Sequence, residues 1–91
     1  MKIEFDPSKD SGNQKKHGVS LSLAREFDWE AALVWVDNRF EYEEVRMIAL
    51  VPKDETLYYV AFVMRNEAQR IISLRRANRR EVKYYAKNFS L

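Results

Sequence analysis

The spacing of apolar positions changes twice along the chain: helical as far as Trp29, strand-like from Leu33 to Arg75, and helical again after Asn78. Asp6-Pro7 reads as a helix start, because the aspartate can accept a bond from an orphan amide and proline has no amide to leave unsatisfied. That helix is expected to run from Pro7 to about Lys16. Gly18 supplies the left-handed residue that ends it, and Lys15, Lys16 and His17 face the negative end of its dipole. Ser20 can cap a second short helix, in which Leu23, Ala24 and Phe27 recur at helical spacing and which ends near Asp28 or Trp29.

Four strands follow: Leu33 to Val36, Val45 to Val51, Leu57 to Met64 and Gln69 to Arg75. Polar turns separate them at Asp37-Asn38-Arg39, Pro52-Lys53-Asp54-Glu55 and Arg65-Asn66-Glu67. The short connections favour an antiparallel meander over a parallel sheet, and the third strand is apolar enough to lie centrally. Asn78 and Glu81 have the spacing of a capping box, opening a last helix with Val82, Tyr85, Ala86 and Phe89 as its inner stripe. The expected architecture is α+β: two short N-terminal helices, a four-stranded antiparallel sheet and a C-terminal helix, in one domain over residues 1–91.

Composition narrows the function classes. The absence of cysteine excludes a disulfide framework, a thiolate metal site and a cysteine nucleophile, and it suits the cytoplasm. No apolar run approaches the roughly 18 residues of a membrane span, and Met1 to Asp6 lacks the apolar core of a signal peptide, so a cytoplasmic protein with no membrane partner is expected. The net charge of +2 conceals an asymmetry: Arg65 to Leu91 carries eight basic and two acidic residues, net +6, while the preceding 64 residues sum to −4. A basic C-terminal third suits a polyanion or the acidic surface of a partner.

In the last strand, simple alternation puts Arg70, Ile72, Leu74 and Arg76 on one face and Gln69, Ile71, Ser73 and Arg75 on the other. Arg46 stands in an otherwise apolar strand, where a charge has either a partner or a task. Glu44, two residues away on the same face, is its nearest candidate partner, and a structural ion pair and a substrate-binding role both remain open. His17, the only histidine, has an ordinary pKa of about 6.5 that permits proton exchange near neutrality, though contact with the helix end is the simpler reading. Arg75-Arg76 and Arg79-Arg80 crowd cations where the last helix begins, which suits either an anionic ligand or a solvated basic face. A single histidine disfavours a metal hydrolase, and Glu41, Glu43 and Glu44 fall in a turn where carboxylates are ordinarily solvated. With two distant glycines there is no phosphate loop, and no cofactor is expected.

Three ordered blocks resemble the BrnT toxin family. Asp6, Lys9, Asn13 and Lys16-His17-Gly18-Val19 match its D-x-x-K-x-x-x-N-x-x-K-H-G-[VI] pattern. Asp37, Arg39-Phe40, Tyr42, Glu44, Arg46 and Ile48-Ala49 match D-x-R-F-x-Y-G-E-x-R-x-I-A, with Glu43 in place of the glycine. Arg70-Ile71-Ile72-Ser73, Arg75-Arg76-Ala77, Arg79-Arg80-Glu81 and Tyr84 resemble its final block. The resemblance implies a RelE-like ribonuclease toxin of a bacterial type II toxin-antitoxin pair. Such a toxin is neutralised by a BrnA-like antitoxin and reaches operator DNA only through that complex.

On this reading RNA is cleaved without metal. Arg46, Arg75 and Arg76 stabilise the charge that builds on phosphorus, His17 acts as general acid or base, and Lys9, Lys16, Arg70, Arg79 and Arg80 contact RNA phosphates. The antitoxin is expected to be an acidic chain that orders on binding, with some of Trp35, Tyr58, Tyr59, Tyr84, Tyr85 and Phe89 as its anchors. A rival from another class is a nucleic-acid or protein-binding module without catalysis, which the same basic third would serve.

Overall fold

The structure, a computed structural model, describes residues 2–89. It begins with a strand that the hydrophobic pattern does not announce: β1 (Lys2–Glu4), three residues with one apolar position. Then comes α1 (Pro7–His17), capped by the Asp6 carboxylate, which accepts from the Ser8 amide at 2.8 Å. Gly18 closes it at φ 74, its amide donating to the Gln14 carbonyl. The second expected helix is instead two 3₁₀ turns, Leu21–Glu26 and Trp29–Ala31. Leu21 and Ala24 are both fully buried, and at the 3₁₀ pitch of three residues per turn they stand one directly above the other. Asp10 of α1 ties the first turn down, accepting from the Leu21 amide at 2.7 Å and the Ser20 hydroxyl at 3.0 Å.

The remaining strands are β2 (Leu33–Val36), β3 (Arg46–Lys53), β4 (Thr56–Arg65) and β5 (Ala68–Arg76). The sheet order is β1-β5-β4-β3-β2, antiparallel throughout except for β1, which runs parallel to β5. The sheet is thus five-stranded and mixed rather than four-stranded and antiparallel, since a three-residue edge strand contributes pairing without a periodic signal. Pro52 lies inside β3, not in the turn after it. The β2 pairing stops at Leu50, so the missing amide of Pro52 costs no ladder bond there. Asn66 and Glu67 both take positive φ, as a tight two-residue hairpin turn requires.

One register shift decides what the sheet presents. Ala61 pairs with Ser73, whereas Phe62 pairs with Ile71, so Ile72 is an extra residue in β5. A bulge reverses the alternation beyond it. Ile71 and Leu74, three apart, therefore both enter the core with Leu21, Ala24, Phe27, Ala49, Val51, Val60 and Phe62. By the same shift Arg70 and Arg75, which alternation would separate, share the opposite face. Beyond the reach of β1, the Asn13 side chain bonds both the amide and the carbonyl of Leu74, at 3.2 and 2.8 Å, and so occupies the open edge of β5.

The last element, α2 (Arg79–Asn88), has the expected capping box between Asn78 and Glu81. Its inward positions are Glu81, Tyr85 and Phe89, four residues apart, while Val82 and Ala86 are exposed, a correction to the expected stripe. The Tyr85 hydroxyl donates to the Ala31 carbonyl at 2.7 Å, and Trp35 meets Tyr84 edge to face. Among the described residues no helix is long and apolar enough to cross a membrane.

Candidate functional site

On the face of the sheet away from the core, Arg46 and Arg70 both oppose Val63, and Leu50 and Arg75 both oppose Tyr59. Three arginines thus share one surface, the two on β5 separated by five residues, roughly 15 Å of strand. At the Arg70 end a polar cleft of about 330 Å³ is lined by Lys9 from α1, by Tyr42, Glu43 and Glu44 from the connection before β3, and by Arg46, Arg65 and Arg70.

Arg46 has no carboxylate partner among the described residues, and its Nε is buried with no hydrogen-bond partner in the protein. Its guanidinium lies 4.1 Å from the centroid of the Tyr42 ring. Glu44, the expected partner, pairs with Arg65 instead. The reason is local: β3 starts at Arg46, so Glu44 precedes the strand and alternation does not govern its direction. Arg70 is half-buried and 3.5 Å from Glu4.

A buried carboxylate organises the neighbouring side chains. The Asp37 side chain, 2% exposed, accepts from Arg39 at 2.9 and 3.0 Å and from the Tyr42 hydroxyl at 3.0 Å. The Arg39 bonds hold the Asp37 carboxyl well below the usual range. Burial, then the bond to Asp37, pushes the Tyr42 phenol up, so it stays neutral and keeps donating. Arg39 also donates to the Tyr59 hydroxyl at 3.3 Å, the Arg75 guanidinium lies 3.9 Å from the Tyr59 ring centroid, and Glu81 accepts from Arg75 at 2.8 and 2.9 Å. One connected network thus runs from Arg46 through Tyr42, Asp37, Arg39, Tyr59 and Arg75 to Glu81.

The site residues expected from sequence divide by this geometry. Lys9, Arg46 and Arg70 meet in the cleft. Arg75 shares their face, but its charge is matched by Glu81. Arg76, exposed, pairs opposite Tyr58 and so projects to the other side of the sheet. His17 is half-buried at the end of α1 and outside the cleft; burial first, then the charges of Lys16 and Arg75, lower its pKa. Lys16 is exposed, and Arg79 and Arg80 line an open basic recess with Asn78 and Lys83.

From sequence, Asp37, Arg39 and Tyr42 have no part in the site, Glu81 has only the capping box, and Tyr59 falls among interface aromatics. The first three sit together in one matched block, which was the available signal; Tyr59 and Glu81 are joined to them only by folding. Among the described residues no three His, Cys, Asp or Glu side chains gather where a metal ion could sit. An arginine without a counter-ion beside a lysine and a second arginine is suited to bind a phosphate diester and to stabilise extra charge on it.

The family profile described as "Ribonuclease toxin, BrnT, of type II toxin-antitoxin system" matches residues 5–81. Among solved structures, the crystal structure of the Brucella abortus ribonuclease toxin BrnT is similar, with a TM-score of 0.68 and 29% identity, covering 87% of this chain and 99% of that one. Comparison with curated proteins finds no match.

Proposed function

The chain belongs to the BrnT family of type II toxin-antitoxin ribonuclease toxins, and we propose that it is an endoribonuclease that cuts RNA without a metal ion at the Arg46 cleft. The observation that carries this reading is Arg46 itself, a half-buried guanidinium with no counter-ion among the described residues, stacked on Tyr42 beside Lys9 and Arg70. Attack of a 2′-hydroxyl on the adjacent phosphorus needs that hydroxyl deprotonated, the added negative charge stabilised and the departing 5′-oxygen protonated. Arg46 and Arg70 supply the stabilisation, and Lys9 holds the phosphate. Of the carboxylates at the cleft, Glu44 is held by Arg65, Glu4 by Arg70 and Asp6 by the Ser8 amide, which leaves Glu43 alone among the described residues there and supports charge stabilisation by guanidinium rather than by a divalent cation.

Burial first lowers the pKa of His17 and favours its neutral form, but it lies outside the Arg46 cleft, so a part in proton transfer requires RNA that extends from the cleft to the end of α1. Arg75, Arg76, Lys16, Arg79 and Arg80 contact flanking phosphates. Membership of a type II family implies an antitoxin partner and an RNA target; we assign the antitoxin to a BrnA-like acidic chain that covers the basic C-terminal third in the cytoplasm and carries the complex to operator DNA. Cleavage of RNA by purified protein is expected to be the same with and without EDTA. Loss in EDTA with recovery in Mg²⁺ would reject the metal-free mechanism, and a His17→Ala variant of full activity would move proton transfer to another group. RNA binding at low salt without any cleavage would favour the binding-module reading instead.

A further inference from the structure

Between the Arg46 cleft and α2, the same face holds a second recess of about 390 Å³, floored by Ile48 and walled by Trp35, Asn38, Arg39, Tyr59 and Glu81. We propose that this recess takes one unpaired nucleobase of the RNA, next to the phosphate bound at Arg46; the inference rests on the ribonuclease reading above. The volume falls within the range of small-ligand pockets. Its walls have the parts that grip a splayed base: flat aromatic rings, a guanidinium plane, and polar groups at the edge.

Those parts are held in place before any ligand arrives. Trp35 is fixed by the edge-to-face contact with Tyr84, with ring centroids 5.5 Å apart. Tyr59 is held by Arg75 over its ring and by Arg39 at its hydroxyl. Arg39 remains 64% exposed while two bonds to Asp37 hold its guanidinium at the wall of the recess. Asn38 is exposed at the rim and offers both a donor and an acceptor, and the Glu81 carboxylate adds further acceptors.

Position argues for the same ligand. Asp37 and Asn38 line both this recess and the smaller one that contains Tyr42 and Arg46, so the two are joined along one stretch of chain. Ile48 lies two residues beyond Arg46 on β3, roughly 6.6 Å, within reach of a single nucleotide. A phosphate site alone leaves the ribose free to rotate, whereas a base gripped one step away fixes the 2′-hydroxyl for in-line attack.

The test uses 2′-O-methyl RNA tetranucleotides, which lack the attacking hydroxyl, either intact or abasic at one position, with tryptophan fluorescence as the readout. The intact oligomer is expected to quench the fluorescence, Trp35→Phe to remove most of the quenching, and the abasic oligomer to bind roughly 5-fold to 150-fold more weakly. Asn38→Asp, at an exposed position that does not threaten folding, is expected to change which base is preferred beside the cut in a cleavable RNA. Equal binding of intact and abasic oligomers, with base preference unchanged by Asn38→Asp and RNA still cut, would overturn the base site and leave the ribonuclease reading standing. Quenching by a co-expressed antitoxin but by neither oligomer, with cleavage intact, would give the recess to a protein side chain and equally overturn it. Failure of both oligomers to bind, with no cleavage of RNA, would overturn both readings.

Discussion

The two faces of the sheet are drawn from the same strands, yet different forces hold them. Under the 3₁₀ turns, Val60, Phe62, Ile71 and Leu74 are buried among apolar neighbours, and their contribution scales with area and has no preferred direction. The opposite face rests on Ile48 and Leu50, but its outer layer is Arg46, Arg70, Arg75, Tyr59 and the Asp37 network, whose contacts are all directional. One face should therefore govern stability and the other activity. The bulge at Ile72 keeps the two sets apart: if Ile72 took a regular place in the ladder instead of bulging, Arg75 would turn toward the core and Leu74 away from it.

The largest expected effect tests the covered face. Phe62→Ala should cost about 3–5 kcal/mol, a large part of the roughly 5–15 kcal/mol of a typical domain. Urea denaturation would measure it, and cleavage per folded molecule should not change. Arg46→Ala should do the reverse, lowering the cleavage rate by about 10²–10³-fold while the urea midpoint stays where it was. An Arg46→Ala protein that loses stability but keeps its rate would erase the distinction between the faces.

How much of this was legible beforehand follows from what each feature requires. β2 to β5 and α2 come from local runs and a local capping box, and all five were visible at nearly their final bounds. β1 was not, because Lys2-Ile3-Glu4 owes its strand conformation to pairing with Ala68, Gln69 and Arg70, far away in sequence. The bulge at Ile72 is likewise a property of two strands in register, so counting along one strand put Arg70 and Arg75 on different faces. Arg46 was singled out correctly as an odd charge in an apolar strand. That it has no partner among the described residues was not visible, because Glu44 is close to Arg46 in sequence but folding brings Arg65 to Glu44 instead.

A smaller effect separates the anchor of the open face from its reactive groups. Arg39 holds the Asp37 carboxyl below its ordinary pKa, so the folded state releases that proton more readily than the unfolded chain does. The resulting stabilisation is complete above the unfolded value, about 3.9, and is lost as pH falls further, through the folded pKa. Asp37→Asn should therefore lower the urea midpoint at pH 7 by less than Phe62→Ala does, and should flatten the acid limb of the stability profile below pH 4 or so. It should also slow cleavage, because asparagine keeps only one acceptor oxygen, for which Arg39 and the Tyr42 hydroxyl must compete, and the ring under Arg46 is held less firmly. An acid limb unchanged in Asp37→Asn would show that the network does not depend on this carboxylate.

The smallest effect concerns the residue that departs from the rule of the covered face. Gln69 is 1% exposed, and neither its Oε1 nor its Nε2 has a hydrogen-bond partner in the protein. It pairs with Met64 on one side and Ile3 on the other, and before the bulge it projects to the same side as Ile71, so its amide lies among apolar neighbours. Leaving a buried amide unbonded costs about 1–3 kcal/mol, whereas methionine has a similar length, no polar hydrogen and enough freedom to fit an irregular gap. Gln69→Met should therefore raise stability by about 1 kcal/mol, read as a higher urea midpoint, with RNA cleavage unchanged. A fall in the midpoint would mean that the amide is bonded in the native protein, and the covered face would then depend on a directional contact just as the arginine face does.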